Sequence, residues 1–358
     1  MNAVLRFALV AVLIVGIVFP AAGRKRSTHS APPSKADVEA ATRLQVFLDR
    51  ANFGPGKIDG RYNDVTRKAL ALYRESRGEP QTPPPRPKAK SNVAPDVTGL
   101  DLTSVDPVFI SYTVTETDVQ SIGPLPNEPA QQAKLKFLPY RDAADAIAEK
   151  FHSDKHFLEQ LNPGKMKTIK AGDQIRVPNV EPFDLASVKS IKPGSEVSSQ
   201  AANEMEDQPG TQSPNPGESA GPPGNVAIRV DTTTNILEVR EGENLVAAYP
   251  VTVGSAQTIS PIGEWKVRGI TKMPTFRWDK EMLKHGKRSG NFYLLRPGPR
   301  NPVGVMWIAL NKKGIGIHGT NDPASIGHAA SHGCIRVANW DVVRLATKIK
   351  PGDNVSIH

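Results

Sequence analysis

One cysteine, Cys334, stands among 358 residues. No internal disulfide can form. In an exported chain a lone thiol is a candidate reactive group, because oxidising compartments favour pairing or absence. The same residue can equally serve as a small buried hydrophobe. Apolar residues are also scarce, at 38%, while proline and glycine number 32 and 29. That balance argues against one compact globule. It fits two or three modules joined by polar linkers. Long apolar runs are missing after residue 22.

The run that is present lies at the start. Arg6 precedes the uncharged residues 7–22, and Pro20-Ala21-Ala22-Gly23 adds small residues. This reads as a basic n-region, an h-region and a cleavage site. It is also near the lower limit of about 20 residues for a spanning helix. Residues 1–23 are therefore expected as a signal peptide or a membrane anchor. Arg24-Lys25-Arg26 is unusual on the translocated side. Both readings export the chain to the periplasm or cell wall. The net charge of +9 calls for an anionic partner: nucleic acid, a membrane surface or a carboxylate-rich polymer. The basic residues are scattered and no nucleic-acid motif is present, so nucleic acid is not an expected partner.

Residues 36–78 pattern as two amphipathic helices. Phe53-Gly54-Pro55-Gly56-Lys57-Ile58-Asp59-Gly60 between them supplies turn chemistry. Leu44-Gln45, Leu48, Ile58-Asp59-Gly60, Ala69-Leu70 and Tyr73 together resemble a peptidoglycan-binding domain of the three-helix type, which implies wall anchoring. Residues 79–108 form a linker, stiffened by Pro83-Pro84-Pro85-Arg86-Pro87. Residues 109–180 read as strand, helix, helix, strand. Asn162-Pro163 followed by Ala171-Gly172-Asp173, Ile175 and Val177-Pro178 resembles a LysM domain, which implies binding of N-acetylglucosamine-containing glycan. The connection over 115–139 is longer than that family uses. Residues 181–224 are rich in Ser, Pro, Gly, Glu and Gln and are expected as a disordered tether.

Residues 225–358 alternate as a mostly β domain. Strands are expected at 226–230, 236–240, 245–253, 265–269, 306–310, 315–318 and 355–357. One helix is expected at 342–349, with Asn339 as its N-cap. The polar cluster around Cys334 then falls on a connection. Ile317-His318-Gly319-Thr320 ends a strand, and Ser331-His332-Gly333-Cys334-Ile335-Arg336 follows on the long loop.

A thiol with a pKa of about 8.5 is mostly protonated at neutral pH. A neighbouring imidazole can lower that value or take the proton. Gly333 lets the backbone approach a substrate and aim N–H groups at an oxyanion. These are the parts of an acyl-transfer site. Three other readings compete. A metal site from His318, His328, His332 and Cys334 is disfavoured by the spacing of two between His332 and Cys334 and the lack of a second cysteine. A structural loop with satisfied histidines is another, and a redox thiol without a resolving cysteine is the third.

The same motif resembles the signature of the L,D-transpeptidase catalytic domain. Ser260-Pro261-x-Gly263 and Gly298-Pro299-x-Asn301-Pro302-x-Gly304 support the resemblance. It implies a β-sandwich-like catalytic domain. It implies Cys334 as nucleophile and His318 as general base, oriented by the carbonyl of Gly319. His332 shapes the oxyanion region, with N–H groups of Gly333 and Cys334. Arg336 takes the acidic groups of the substrate, a geometry that suits guanidinium, or else forms a surface ion pair. Ser331 sets the loop. No cofactor and no metal are implied. The partners implied are peptidoglycan stem peptides and glycan, and an outer-membrane lipoprotein as one acceptor. The reaction implied is 3-3 cross-linking, or protein attachment to the wall, through a thioester. L,D-carboxypeptidase activity or a non-catalytic wall scaffold are the rivals.

Overall fold

Helix α1 (Lys35–Arg50) begins with a capping box. The Ser34 side chain accepts from Asp37 N–H, and the Asp37 carboxylate accepts from Ser34 N–H. Helix α2 (Asp64–Ser76) is capped by Asn63. The computed structural model describes residues 33–79, 94–189, 225–254, 260–285, 288–312, 314–327, 329–331 and 333–358. The buried Gln45 ties the intervening turn to α1. Its carbonyl accepts from Asp59 N–H at 3.2 Å and Gly60 N–H at 3.0 Å, and its amide donates to Asp59 at 2.8 Å. A buried amide is tolerated because its donors and acceptors are matched. Leu44, Leu48, Phe53 and Leu70 pack with Ile236, Leu245 and Ala248 of the C-terminal domain.

The middle module pairs β1 (Phe109–Thr113) antiparallel with β2 (Gln174–Pro178). Between them come α3 (Glu116–Gln120), α4 (Pro129–Gln132), α5 (Ala143–Lys150) and α6 (Lys155–Leu161). Four helices thus stand between the strands where two were expected: α5 and α6 fall at the expected pair, and α3 and α4 occupy the long connection. Two stretches expected as linker differ from that reading. Val105 enters the core of the middle module, while Phe183 and Val188 enter that of the C-terminal domain. Their apolar side chains are isolated in polar sequence, so no periodic pattern announces their burial. Residues 80–93 and 190–224 of these linkers lie outside the described residues.

The C-terminal domain runs β3 (Val226–Asp231), β4 (Ile236–Glu241), β5 (Asn244–Pro250), β6 (Val253–Gly254), β7 (Gly263–Lys272), β8 (Phe276–Trp278), α7 (Lys280–His285), β9 (Tyr293–Leu295), β10 (Met306–Leu310), β11 (Gly316–His318), β12 (Ala329–Ser331), β13 (Ile335–Arg336), α8 (Asn339–Lys348) and β14 (Asn354–Ile357). Eight of these strands form one mixed sheet in the order β13-β11-β10-β7-β14-β3-β4-β5. The sandwich-like expectation is refined at β7. Its residues 263–266 pair with β14, and its residues 267–272 pair with β10. Two lobes therefore share one long strand and enclose the core with α8. The expected strand 245–253 is also two elements, since β6 leaves the main sheet and pairs with β12. Asn339 is not an N-cap. Ala338 takes that position, and Asn339 is the first helical residue with its side chain fully buried.

Residues from Ser34 onward form one compact unit. Its three parts meet at a buried ionic cluster. Arg344 on α8 donates through both terminal nitrogens to the Asp49 carboxylate at 3.0 Å each. His152 Nδ1 lies 2.9 Å from the same carboxylate, and its ring stacks on Trp340 at 5.0 Å. Burial alone would raise the Asp49 carboxyl, but His152 and Arg344 hold it well below its usual range. Asp341 lacks that support. Burial lifts its carboxyl to about 8, against the pull of Arg344 at 3.8 Å.

The folded chain thus keeps a proton on Asp341 that the unfolded chain releases near pH 4. Its stabilising contribution is complete below that value and is lost as pH rises through about 8. His152 and His318, both held below 6.5 by burial, act in the opposite sense, an effect that fades as pH rises above 6.5. Thermal unfolding from pH 6.5 to 8 should therefore show falling stability, by about 2 kcal/mol for one retained proton. Asp341→Asn should flatten that slope. A wild-type profile without the slope would contradict a protonated Asp341. Among the described residues, no helix is long and apolar enough to cross a membrane. Residues 1–23, expected as a signal or anchor, lie outside them.

Candidate active site

The register of two neighbouring strands assembles the site. β11 and β13 run parallel, with Ile317 opposite Ile335 and His318 opposite Arg336. Both isoleucines are fully buried in the core. Side chains alternate along a strand, so His318 and Arg336 belong to the opposite face, and Cys334, just before β13, packs on the Trp307 cluster. The loop between the strands is pinned in two places. β12 pairs with β6, and Thr252 exchanges backbone hydrogen bonds of 2.9 Å with Arg336 in both directions. Gly333, immediately before the cysteine, has φ +109°, a conformation open to glycine and strained for other residues.

His318 is buried and held on two sides. Its Nδ1–H donates to the Gly319 carbonyl at 2.6 Å. A carbonyl only accepts, so the proton is on Nδ1 and Nε2 carries the lone pair. The ring stacks on Trp307 at 5.2 Å and 17°. Burial, reinforced by the positive Arg336 and opposed by the Gly319 carbonyl, brings its pKa down to about 3. The imidazole is neutral throughout the physiological range.

Cys334 is half-buried and packs against the cluster of Val303, Trp307 and Ala309. Trp307 thereby touches both the thiol's cluster and the histidine ring. The thiol donates to the Gly314 carbonyl at 3.6 Å, and the sulfur accepts from Gly316 N–H. Burial pushes the thiol upward, while Gly316 and Arg336 pull the other way and only partly offset it. Arg336 is drawn below the ordinary arginine range by burial, with Cys334 and Asp322 favouring its charge; arginine stays cationic at neutral pH.

Of the sequence-predicted residues, the structure brings His318, Gly319, Cys334 and Arg336 to one end of the β11–β13 pair. Ser331 is in β12, its backbone opposite Gly254. His332 and His328 lie outside the described residues. Among the described residues no group of three His, Cys, Asp or Glu side chains is arranged to hold a metal ion.

The structural roles of three residues escaped the sequence reading. Trp307 is one, hidden in an apolar strand pattern. The second is Asn339, whose Oδ1 accepts from Val305 N–H and Thr320 N–H, both at 3.2 Å. Gly304 is the third. A Cβ there would fall 2.1 Å from Asn339 Oδ1 and 2.6 Å from the Gly319 backbone, and one on Gly319 would fall 2.2 Å from the same oxygen. The amide oxygen therefore fits only between two glycines. The glycine-rich spacing from Gly298 to Gly304 was a usable signal for this close approach; Asn339 offered none beyond its position before a helix.

The profile of the L,D-transpeptidase catalytic domain matches residues 225–357. YkuD of Bacillus licheniformis, named as an L,D-transpeptidase, is 31% identical over 183 residues, covering 47% of this chain and 96% of the relative. YkuD of Bacillus subtilis is 26% identical over 220 residues, 61% of this chain and 94% of the relative. YqjB of Bacillus subtilis is 34% identical over 140 residues, 38% of this chain and 72% of the relative. The 220-residue match is longer than the span 225–357 and so reaches into the preceding modules. With its single cysteine placed at the end of the sheet beside a buried histidine, the chain belongs to the L,D-transpeptidase family of cysteine-dependent acyltransferases.

Proposed function

We propose that the protein is a peptidoglycan L,D-transpeptidase that forms 3-3 cross-links, with Cys334 as nucleophile and His318 as general base. The observation that carries this reading is the orientation of the His318 imidazole. Its ring stacks on Trp307, on whose cluster the chain's single thiol packs, and its Nδ1 proton is committed to the Gly319 carbonyl. This leaves His318 Nε2 with a lone pair, the feature that supports its proposed role as base. Neither partner is ionised at rest, so proton transfer accompanies attack.

The first half of the reaction forms a bond from Cys334 Sγ to the carbonyl carbon of the third stem residue. The thiol proton passes to His318 Nε2. The bond to the terminal D-alanine breaks, and that amine leaves with the proton from His318. In the second half the amine of an acceptor stem attacks the thioester, gives its proton through His318, and releases the thiol. N–H groups of Gly333 and Cys334 are proposed as oxyanion donors, with His332 supporting that region. Arg336 is proposed for the substrate's carboxylates, and Ser331 for loop geometry. Thioester exchange needs no ATP, which suits a periplasmic or wall location. Residues 36–78 and 109–180 are proposed as peptidoglycan-binding and LysM-like modules that hold the enzyme on its polymer.

Mass spectrometry of muropeptides tests the reading, after incubation of the protein with purified wall carrying tetrapeptide stems. 3-3 dimers are the expected product. Tripeptides without dimers would make it an L,D-carboxypeptidase, and a lipoprotein lysine as acceptor would show as peptide-linked muropeptide. Neither product would leave a wall-binding scaffold.

A further inference from the structure

Glu149 belongs to α5 in the middle module, and its side chain is buried against the C-terminal domain. Its Oε1 accepts from Tyr140 Oη–H at 3.0 Å and from Asn339 Nδ2–H at 2.8 Å. Its Oε2 accepts from Arg300 Nη1–H at 2.7 Å. The contacts to Asn339 and Arg300 cross from one module into the other, and through Asn339 they reach Thr320, two residues after His318.

We infer that Glu149 is a positioning residue for His318, acting across the module boundary through Asn339 and the Gly319–Thr320 peptide. The inference rests on the proposed role of His318. The path is short. Glu149 receives the amide N–H of Asn339 and so fixes which way that amide faces. Asn339 Oδ1 is then directed at Thr320 N–H and Val305 N–H. Thr320 N–H and the Gly319 carbonyl are two ends of one planar peptide unit. The other end accepts the His318 Nδ1 proton at 2.6 Å. A flipped Asn339 amide would set its NH2 group against two backbone donors. Its remaining contact, Nδ2–H to the Pro299 carbonyl at 3.3 Å, is longer than the bond to Glu149. Nothing else among these contacts places a charge on the amide, and charge-assisted bonds are the stronger ones.

The test uses the full chain and two readouts of the imidazole. The first is the Nδ1–H resonance of His318 by NMR. The second is the rate and pH profile of Cys334 alkylation by iodoacetamide. Glu149→Asp keeps the charge for Arg300 but withdraws the carboxylate from Asn339 by one methylene. Glu149→Gln keeps the length but faces either Arg300 or Asn339 with a donor. Both should expose the Nδ1 proton to exchange and slow alkylation at neutral pH by about 10- to 100-fold, as small misplacements of reacting groups do. The E149Q/N339D pair reverses the polarity of the bond and should recover most of the rate. A general loss of packing would not be repaired by adding a buried aspartate.

Wild-type alkylation and an unchanged Nδ1–H signal in folded E149D would overturn the inference. His318→Gln separates the two levels. If it slows alkylation while E149D does not, the positioning role falls and the base assignment stands. If it leaves alkylation unchanged, both fall.

Discussion

Cys334→Ser should reduce transpeptidation on the order of 10⁶-fold, the scale of removing a nucleophile from an acyl-transfer site whose other groups remain. Serine fills nearly the same space among Val303, Trp307 and Ala309, so the fold should survive and wall retention with it. His318→Gln should cost about 10²- to 10⁴-fold in kcat, the usual contribution of a positioned base. The double variant should be little worse than Cys334→Ser, because nucleophile and base act as one unit and losing either removes most of their joint effect. The pH profile is the sharper part of the expectation. His318 loses its neutral form only near pH 3, and burial moves the thiol above its ordinary value of 9.0. Neither group changes charge between them. The profile of kcat/KM should therefore be level from pH 5 to 8, with its acid limb far below the 6.5 of an ordinary imidazole. An acid limb near 6.5 would mean that His318 is solvated in the working enzyme, and would overturn the buried neutral base. Equal activity in Cys334→Ser would remove the nucleophile assignment altogether.

The parts of this site differ in how visible they are before folding. Cys334 and His318 stand out by residue type and spacing, because a lone thiol beside two His-Gly pairs is rare by composition. Strand positions follow from alternation, which burial enforces on any half-covered strand. What alternation cannot convey is register. The continuity of two lobes through β7 depends on which half of ten residues meets β14 and which meets β10. Asn339 was misread because its type suits a cap, while its buried side chain serves backbone donors far away in sequence. Glu149 was invisible for a different reason. A carboxylate among alanines on a short helix reads as the solvent face, and its burial is made tolerable by Tyr140 together with Arg300 and Asn339, which are 151 and 190 residues away.

Arg300→Met should destabilise the protein by about 3–5 kcal/mol, the expected cost of removing one partner from a buried ion pair. The guanidinium is 5% exposed. It spans both acids of α5, with Nε and Nη2 each 2.8 Å from Asp145 and Nη1 2.7 Å from Glu149, and it lies 4.8 Å above the Tyr140 ring. Methionine matches its stem but leaves the Glu149 carboxylate buried without its cation, while Asp145, partly exposed, keeps Lys155 at 3.9 Å. Glu149, nearly inaccessible, has no path to solvation. Arg300→Lys should fall between, since one ammonium cannot serve three directions at once. The decisive variant is the triple change R300M/D145N/E149Q. It removes the charges together and should recover most of the lost stability in thermal or urea unfolding, because the penalty lies in the unpaired acids. It should not recover activity, because the bond from residue 149 to Asn339 no longer carries a charge. Stability and turnover would then separate at one cluster. A single Arg300→Met variant as stable as the wild type would show that the modules do not depend on this contact, and would leave the middle module as a passenger on the catalytic domain.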